Sequence, residues 1–294
     1  MPAAKPFVAR ASDGFILNGS AWSSADNADS GLVAIINAGA GIPAIYYHPF
    51  ASWLADQGIP TYTYDYRGIG ASRPPSLKGF GASIYEWGSK DCTGAIQRVQ
   101  ELHPGRQHAV IGHSIGGMLT GFVTKPEAVK RFVFVGGHTG YWRDHARGTW
   151  WWMYPAWHVF MPTINRAVGY FPGKLFGLPE DLPFGIAQDW SDRRRPEIWW
   201  RLRQSDGMPD MKRIEEVRSN FARFRVEALT ISAIDDPFAT LRANTRLRGL
   251  YVNCNFHEKL VSPSAKYAIG HFGYFRRRAK THIWPLISEW LLNA

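Results

Sequence analysis

The sequence has few cysteines and lacks several segments that would mark other classes of protein. Its two cysteines, Cys92 and Cys254, have neither metal-site spacing nor the number needed for a disulfide framework. Residues 1–6 lack the apolar segment of a secretory signal. No stretch reaches the ~18 uncharged apolar residues needed to cross a membrane. From these absences we expect no transmembrane segment and a cytoplasmic location.

Motifs for nucleic acids, metals and phosphate-bearing cofactors are also missing. The formal net charge of +10 suits an anionic partner. However, the densest basic clusters, residues 193–195 and 276–278, are short and far apart, and neither matches a nucleic-acid-binding motif. No two histidines have helical metal spacing, and no phosphate loop or dinucleotide fingerprint is present. We therefore expect a basic solvated face, with no nucleic-acid partner, no metal and no cofactor.

Apolar runs that alternate with helical patterns dominate the remainder of the chain, of which 45% is hydrophobic. Short apolar runs predict strands at 7–12, 15–22, 32–36, 61–66, 107–111, 131–135, 229–232 and 255–261. Longer patterns predict helices at 46–57, 87–102 and 281–292, with a polar helix that ends near residue 249. Strands that alternate with helices predict an α/β fold with a doubly wound, mostly parallel sheet.

The most informative motif is Gly112-His113-Ser114-Ile115-Gly116, between a predicted buried strand and a helix of small residues. A Gly-x-Ser-x-Gly motif in this setting predicts a nucleophile elbow, a tight turn that raises the serine hydroxyl above the sheet. The glycines are needed because a Cβ at either flank would collide with the neighbouring strand or helix. Since a chain of this length shows the motif by chance roughly one time in ten, its weight comes from the strand and helix around it.

A serine hydroxyl becomes a good nucleophile only when a base takes its proton and a carboxylate orients that base. Two downstream loops supply these groups in the chain order serine, acid, histidine. Asp235 and Asp236 follow a predicted strand at the carboxyl edge of the sheet, where open α/β folds bind ligands. His271 lies between glycines before the last helix. Ser114, His271 and one of the two aspartates are therefore the candidate catalytic residues.

These motifs make the chain resemble the α/β-hydrolase superfamily and, within it, a bacterial group of predicted serine hydrolases. The resemblance rests on the elbow, on the loops around Asp235 and His271, and on Asp65-Tyr66-Arg67-Gly68-Ile69-Gly70-Ala71-Ser72. It implies that Ser114 is the nucleophile, His271 the base and Asp235 the acid. The family spacing of a small residue, two further residues and then the acid favours Asp235 over Asp236.

The sequence of one loop differs from that of many of these relatives. They have His-Gly after the third strand, where this chain has Asn37-Ala38. In the family, this loop donates one N–H group to the oxyanion hole, and the residue after the nucleophile, here Ile115, donates the other. A backbone donor does not depend on the side chain, so the oxyanion hole can survive the change. Gly39 is the first choice for the loop donor, and Ala40 is the second.

The other histidines have simpler interpretations. His113 lies inside the elbow beside the nucleophile, which favours a supporting role. His108 and His257 lie in predicted strands, as is typical of structural histidines. His138 follows the strand after the elbow, where a position facing the pocket is the alternative to a structural role.

Residues 139–226 interrupt the alternation of strands and helices, so we expect a core of residues 1–138 and 227–294 with a helical cap between them. Hydrolases of this kind carry a cap at this position. The predicted cap contains eight of the 13 tryptophans, namely Trp142, Trp150, Trp151, Trp152, Trp157, Trp190, Trp199 and Trp200. Most of these rings are expected to form the cap's own small core. An aromatic-lined acyl pocket for a few of them, and a membrane-touching surface, are the alternatives.

The combined prediction is a serine hydrolase that cleaves a small-molecule carboxylic ester with an apolar or aromatic acyl group, through an acyl-enzyme intermediate. Thioesters and amides are alternative substrates. An acyltransferase would use the same residues with an alcohol in place of water. A ligand-binding protein that has kept the fold but lost turnover is the alternative from another class. The acyl group, the leaving group and the oligomeric state are open.

Overall fold

A computed structural model describes residues 3–23, 30–197, 202, 208–264 and 267–293 of the 294-residue chain. Within these residues, eight strands form one sheet. The strands are β1 (Lys5–Arg10), β2 (Ile16–Trp22), β3 (Leu32–Asn37), β4 (Thr61–Tyr64), β5 (Gln107–His113), β6 (Val129–Val135), β7 (Glu227–Ala233) and β8 (Asn255–Val261). Each predicted strand corresponds to one of these, with shifts of a few residues at the ends.

The sheet has the spatial order β1-β2-β4-β3-β5-β6-β7-β8. Strand β2 pairs antiparallel with β1 and β4, and every other pair is parallel. Strands β3 and β5 are buried along nearly their whole length, as expected for parallel strands that are covered on both faces. The predicted doubly wound, mostly parallel α/β fold is therefore confirmed.

The helices pack on both sides of this sheet and in the segment between β6 and β7. They are α1 (His48–Asp56), α2 (Ile84–Glu86), α3 (Thr93–Leu102), α4 (Gly116–Thr120), α5 (Trp150–Pro155), α6 (Met161–Val168), α7 (Phe184–Ser191), α8 (Met211–Arg223), α9 (Leu241–Arg248) and α10 (Trp284–Asn293). A π-helical segment, Trp87–Cys92, joins α2 to α3, so the helix predicted at 87–102 begins a turn earlier.

The Asp65–Ser72 motif braces the loops near the site. The Asp65 carboxylate accepts hydrogen bonds from the N–H groups of Ala44 (2.7 Å) and Ala71 (2.9 Å), which ties the loop after β3 to the loop after β4. Arg67 forms ion pairs with Asp13 and Asp91, each at 2.7 Å. The motif that contributed to the family resemblance is thus a structural clamp, and its contacts fix the chain that follows β3.

The chain between β6 and β7 forms helices α5 to α8. It leaves the sheet at the carboxyl end of β6 and returns at the start of the adjacent parallel strand β7. Trp199 and Trp200 lie outside the described residues. The division into a core and a cap remains a prediction. Among the described helices, none combines the length and apolar character needed to span a bilayer.

Candidate active site

The elbow serine has a backbone conformation that side chains rarely adopt. Ser114 has φ of +57°, and within the described ranges it is the one non-glycine residue with positive φ. A Cβ on Gly112 would lie 2.5 Å from the Gly117 nitrogen, and a Cβ on Gly116 would lie 2.1 Å from the Asn37 carbonyl oxygen. Both distances are too short for any side chain, so the turn requires glycine at both flanks.

Five parallel strands place the candidate residues at one edge of the sheet. The loop with Gly39 follows β3, Ser114 follows β5, and His138 follows β6. Asp236 follows β7, and His271 lies in the loop between β8 and α10. Because these are the carboxyl ends of adjacent strands, residues far apart in sequence meet at the place where ligands bind in open α/β sheets.

Ser114, His271 and Asp236 form a continuous hydrogen-bonded array. His271 Nδ1 lies 2.9 Å from Asp236 Oδ2 and 3.1 Å from Oδ1, so Nδ1–H donates to the carboxylate. The other ring nitrogen, Nε2, lies 2.9 Å from Ser114 Oγ. With its proton on Nδ1, a neutral imidazole presents a bare Nε2 lone pair to the serine hydroxyl. This arrangement can remove the proton from Ser114.

The preference for Asp235 over Asp236 was wrong. Asp235 instead accepts a hydrogen bond from the N–H of Ile269 (2.8 Å) and so holds the start of the His271 loop. The reason is the length of β7, which continues through Ala233. Counting the family spacing from Ala233 instead of Ser232 brings the acid to Asp236.

Asp236 is 3% exposed and has a full set of donors. Its Oδ1 accepts from the N–H groups of Phe238 (2.9 Å) and Ala239 (3.0 Å), and its Oδ2 accepts from the Tyr274 hydroxyl (2.9 Å). Burial raises the pKa of Asp236, but the charge and hydrogen bond of His271 and the two N–H groups outweigh burial and lower it to about 2. The carboxylate is therefore ionised at any ordinary assay pH and can orient His271.

His113 connects the elbow to two other loops. Its Nε2 lies 3.1 Å from the carbonyl oxygen of His271, which can only accept, so Nε2 carries the proton. Its Nδ1 then accepts from the Tyr47 hydroxyl (2.8 Å), which in turn accepts from the N–H of Gly39 (2.9 Å). Burial lowers the pKa of His113 to about 3, in keeping with this neutral form. The supporting role proposed for His113 agrees with these contacts.

The same contacts change the choice of loop donor for an oxyanion. The Gly39 N–H already donates to Tyr47, so it does not point freely at Ser114. A Cβ on Gly39 would lie 3.1 Å from the Cβ of Ser114, which shows how closely the loop approaches the elbow. The next residue, Ala40, lines the cavity above Ser114. The Gly39 N–H, the first choice from sequence, is thus engaged by Tyr47, and Ala40, the second choice, stays a prediction.

Asn37, which replaces the histidine of many relatives, anchors this loop. Its Nδ2 donates to Thr120 Oγ1 in the elbow helix (2.7 Å), and its Oδ1 accepts from the Tyr64 hydroxyl (2.7 Å). Both contacts are buried. The substituted side chain thus stabilises the junction of β3 and α4 and leaves the loop backbone in place.

We predict that Tyr47→Phe lowers stability and loosens the loop after β3. The change removes one hydroxyl but leaves the Gly39 N–H and His113 Nδ1 buried without partners, which costs on the order of 1–3 kcal/mol. Urea unfolding followed by circular dichroism measures this cost. Tyr154→Phe is the matched control, since Tyr154 is exposed. A Tyr47→Phe protein as stable as the wild type would contradict this account of the loop.

His138 also reaches Ser114. Its Nε2 lies 3.0 Å from Ser114 Oγ, and its Nδ1 accepts a hydrogen bond from the N–H of Gly140 (3.0 Å). A pocket-facing position for His138 is the alternative to the structural role that its sequence setting also allows, and the geometry agrees with that alternative. One available signal was its setting directly after a strand, with Gly136, Gly137 and Gly140 around it.

A mostly apolar cavity of about 180 Å³ opens above Ser114. Its polar walls are Ser114, His138 and His271. Its apolar walls are Ala40, Ile42, Trp152, Trp157, Met161, Leu178, Leu182, Trp190, Phe238 and Phe272. Of the six tryptophans that the structure describes at 139–226, three therefore face the cavity, and the described part of the segment supplies six of the lining side chains. Over the residues that the structure describes, no cluster of three or more His, Cys, Asp or Glu is arranged to hold a metal ion.

The sheet and elbow define an α/β-hydrolase. A family model described as serine aminopeptidase, S33, matches residues 30–248, and the chain belongs to this family. The matched segment includes the elbow and Asp236 but ends before His271. Family membership and fold together support an α/β serine hydrolase. Among curated proteins, none matches the sequence significantly.

Solved structures share the fold at low sequence identity. DcsB, in a complex with its substrate analogue, has a TM-score of 0.66 at 13% identity, with 98% of this chain and 99% of DcsB covered. An esterase from Pyrococcus furiosus has a TM-score of 0.61 at 13% identity, with coverage of 99% and 91%. An esterase from Exiguobacterium antarcticum has a TM-score of 0.61 at 14% identity, with coverage of 99% and 100%. At these identities the likeness shows the fold alone.

Proposed function

We propose that the protein is an esterase that cleaves small carboxylic esters with apolar acyl groups, through an acyl-enzyme on Ser114. The observation that carries the proposal is the Ser114–His271–Asp236 array beneath an apolar cavity. A buried array of this kind suits acyl transfer, and the apolar walls suit a substrate without charge on its acyl chain. The family and the esterase structures named above support the same class of reaction.

In the proposed mechanism, His271 Nε2 takes the proton of Ser114 as Oγ attacks the ester carbonyl carbon. Asp236 holds the proton on Nδ1 and stabilises the imidazolium that forms. The imidazolium then gives its proton to the departing alcohol. In the second half, His271 takes a proton from water, which attacks the acyl carbon, and returns it to Ser114.

The oxyanion is proposed to bind the N–H groups of Ile115 and Ala40. Ile115 begins the turn into α4 directly after the nucleophile, and Ala40 lines the cavity that contains Ser114. Such fixed donors stabilise the charge that develops on the carbonyl oxygen. Removing one donor in comparable enzymes lowers kcat by about 10²–10³-fold.

Residues 139–226 are proposed to act as the cap that selects the acyl group. The described part of this segment supplies six residues that line the cavity, namely Trp152, Trp157, Met161, Leu178, Leu182 and Trp190. Because the sheet provides only the reacting groups, the fit of the acyl chain depends on these side chains. The cavity, at about 180 Å³, is small beside the ~300–1,000 Å³ of common ligand pockets. A short acyl chain therefore fills it.

We predict that kcat/KM rises along a p-nitrophenyl ester series from acetate to about butanoate or hexanoate, and then falls. Each buried methylene contributes about 0.8 kcal/mol, which corresponds to a threefold to fourfold increase. Initial rates across the series measure the profile. A flat profile from acetate to octanoate, or a maximum at acetate, would show that the cavity does not hold the acyl chain.

Met161→Ala tests which wall limits the chain length. Met161 is buried and lines the cavity, so its truncation is expected to move the optimum toward longer esters by about two methylenes. Met153→Ala is the control, because Met153 is equally buried but does not line the cavity. Met153→Ala is expected to lower stability without moving the optimum. A shift of similar size in both variants would mean that loosened packing, and not the Met161 side chain, sets the optimum.

Fluorophosphonate labelling followed by peptide mapping tests the chemistry directly. The reagent should modify Ser114 alone, and p-nitrophenyl ester should be turned over by the same preparation. Modification of another residue would contradict the proposed nucleophile. Labelling of Ser114 without any ester turnover would favour the ligand-binding alternative.

A further inference from the structure

The hydrogen bonds of His138 determine which of its nitrogens carries the proton. The Gly140 N–H can only donate, so His138 Nδ1 accepts through its lone pair. In a neutral imidazole the proton is then on Nε2, 3.0 Å from Ser114 Oγ. Protonation of Nδ1 would place two donors against each other. His138 is 2% exposed, and burial, together with the nearby His145, His271 and Arg193, lowers its pKa well below the ordinary value.

Ser114 therefore lies between two histidines with opposite roles. His271 Nε2 is an acceptor for the hydroxyl proton, whereas His138 Nε2–H is a donor to a lone pair of the same oxygen. The His138 backbone is anchored to the elbow as well, since its N–H faces the Ser114 carbonyl at 3.4 Å. With one lone pair occupied by His138, the hydroxyl proton points to His271. The array of His271 and Asp236 does not require this second contact.

We propose that His138 is a second catalytic histidine, which donates a hydrogen bond to Ser114 Oγ and stabilises this oxygen as the leaving group when the acyl-enzyme is hydrolysed. This inference rests on the proposed function. In that step, water forms a bond to the acyl carbon and the bond from carbon to Oγ breaks. The electron pair stays on Oγ, which takes its proton from His271. His138 keeps its own proton throughout.

The contribution of His138 is larger in deacylation than in acylation. In the acyl-enzyme, Oγ is an ester oxygen and a weak acceptor, and it gains negative charge only as the bond to carbon breaks. The hydrogen bond from His138 therefore strengthens toward the transition state of this half. In the free enzyme, Oγ is already a good acceptor, so the hydrogen bond from His138 strengthens little when Oγ attacks the ester. Loss of the donor should accordingly slow the second half more than the first.

The test is pre-steady-state hydrolysis of p-nitrophenyl butanoate by His138→Phe and His138→Gln. Phenylalanine retains a ring of similar size without a donor, whereas the glutamine amide can reach Oγ with an N–H. We expect His138→Phe to show a burst of p-nitrophenol near one equivalent, about 100-fold lower kcat and a less than fivefold change in kcat/KM. Acid-quenched samples should carry the acyl mass on Ser114. His138→Gln should retain kcat within about tenfold of the wild type.

Matched variants separate this role from a structural one. His108→Gln changes another buried histidine, in β5 away from the cavity, and should leave both kinetic phases unchanged. If His138→Phe does not fold, His138→Asn retains an acceptor for Gly140 while losing the donor to Oγ, and should show the same burst. Equal losses of kcat and kcat/KM without a burst, or wild-type kinetics, would overturn the role of His138. Turnover by Ser114→Ala would instead contradict the proposed function.

Discussion

Replacing Ser114 with alanine is expected to lower kcat for ester hydrolysis by about 10⁶-fold and to abolish fluorophosphonate labelling. The reason is geometric, because Oγ is the single atom that both His271 and His138 reach with their Nε2 nitrogens. Without Oγ, no acyl-enzyme forms at this site, and any residual rate comes from water held near the oxyanion donors. Initial rates with p-nitrophenyl butanoate and gel-based labelling provide the two measurements.

Ser288→Ala is the control for this substitution. Ser288 is a buried serine in α10 whose hydroxyl donates to the Pro285 carbonyl, away from the cavity. It should label and turn over like the wild type. His271→Ala should lose nearly as much activity as Ser114→Ala, since residues that act as a unit are not additive. Persistent labelling in Ser114→Ala would exclude Ser114 as the nucleophile.

The sequence predicts the fold well because the central strands of the sheet are buried on both faces. Segments such as β3 and β5 are largely apolar runs, as is typical of central strands that are covered on both faces of a parallel sheet. The Gly-x-Ser-x-Gly motif is equally informative, since a Cβ on Gly112 would lie 2.5 Å from the Gly117 nitrogen and a Cβ on Gly116 would lie 2.1 Å from the Asn37 carbonyl oxygen at the end of β3. In these elements the sequence pattern, an apolar run or a pair of glycines, is enough to predict the local structure.

The errors arise where a shift of one residue at the end of a strand changes which side chain reaches the site. Asp235 and Asp236 are adjacent, and whether β7 ends at Ser232 or Ala233 determines which carboxylate faces His271. Similarly, the N–H of Gly39 is occupied by Tyr47, a partner eight residues away that no motif marks. Such choices depend on hydrogen bonds between loops, and strand ends are the least certain part of any prediction from sequence.

The hydrogen bonds of Tyr274 and His138 could not be predicted from the motifs, because each joins residues of two different loops. Tyr274 stabilises Asp236, and His138 contacts Ser114 across 24 positions of sequence. Neither belongs to the motifs that identify the family in this chain. Their positions follow from the parallel order of β5, β6, β7 and β8, which brings the four loops that follow these strands together. The sheet thus determines which loops meet, and the turns within each loop determine which side chains touch.

Asp236→Asn is expected to lower kcat by about 10⁴-fold while leaving the fold intact. The N–H groups of Phe238 and Ala239 both donate to Oδ1, so they would orient the asparagine with its carbonyl oxygen toward them. The amide nitrogen would then take the place of Oδ2 and donate to His271 Nδ1. This forces the His271 proton onto Nε2. Ser114 Oγ would consequently face an N–H donor where it now has a base.

Asp235→Asn is the matched control for this prediction. Its side chain accepts one hydrogen bond, from the Ile269 N–H, and an asparagine oxygen can accept the same bond. We expect less than a tenfold loss of kcat in Asp235→Asn, with unchanged binding of a competitive inhibitor in both variants. Parallel measurements of kcat at pH 7 and 9 complete the test, because a wrong tautomer is not corrected by raising the pH. If Asp235→Asn loses more activity than Asp236→Asn, the carboxylate that orients His271 during turnover is not the one that contacts it in this structure.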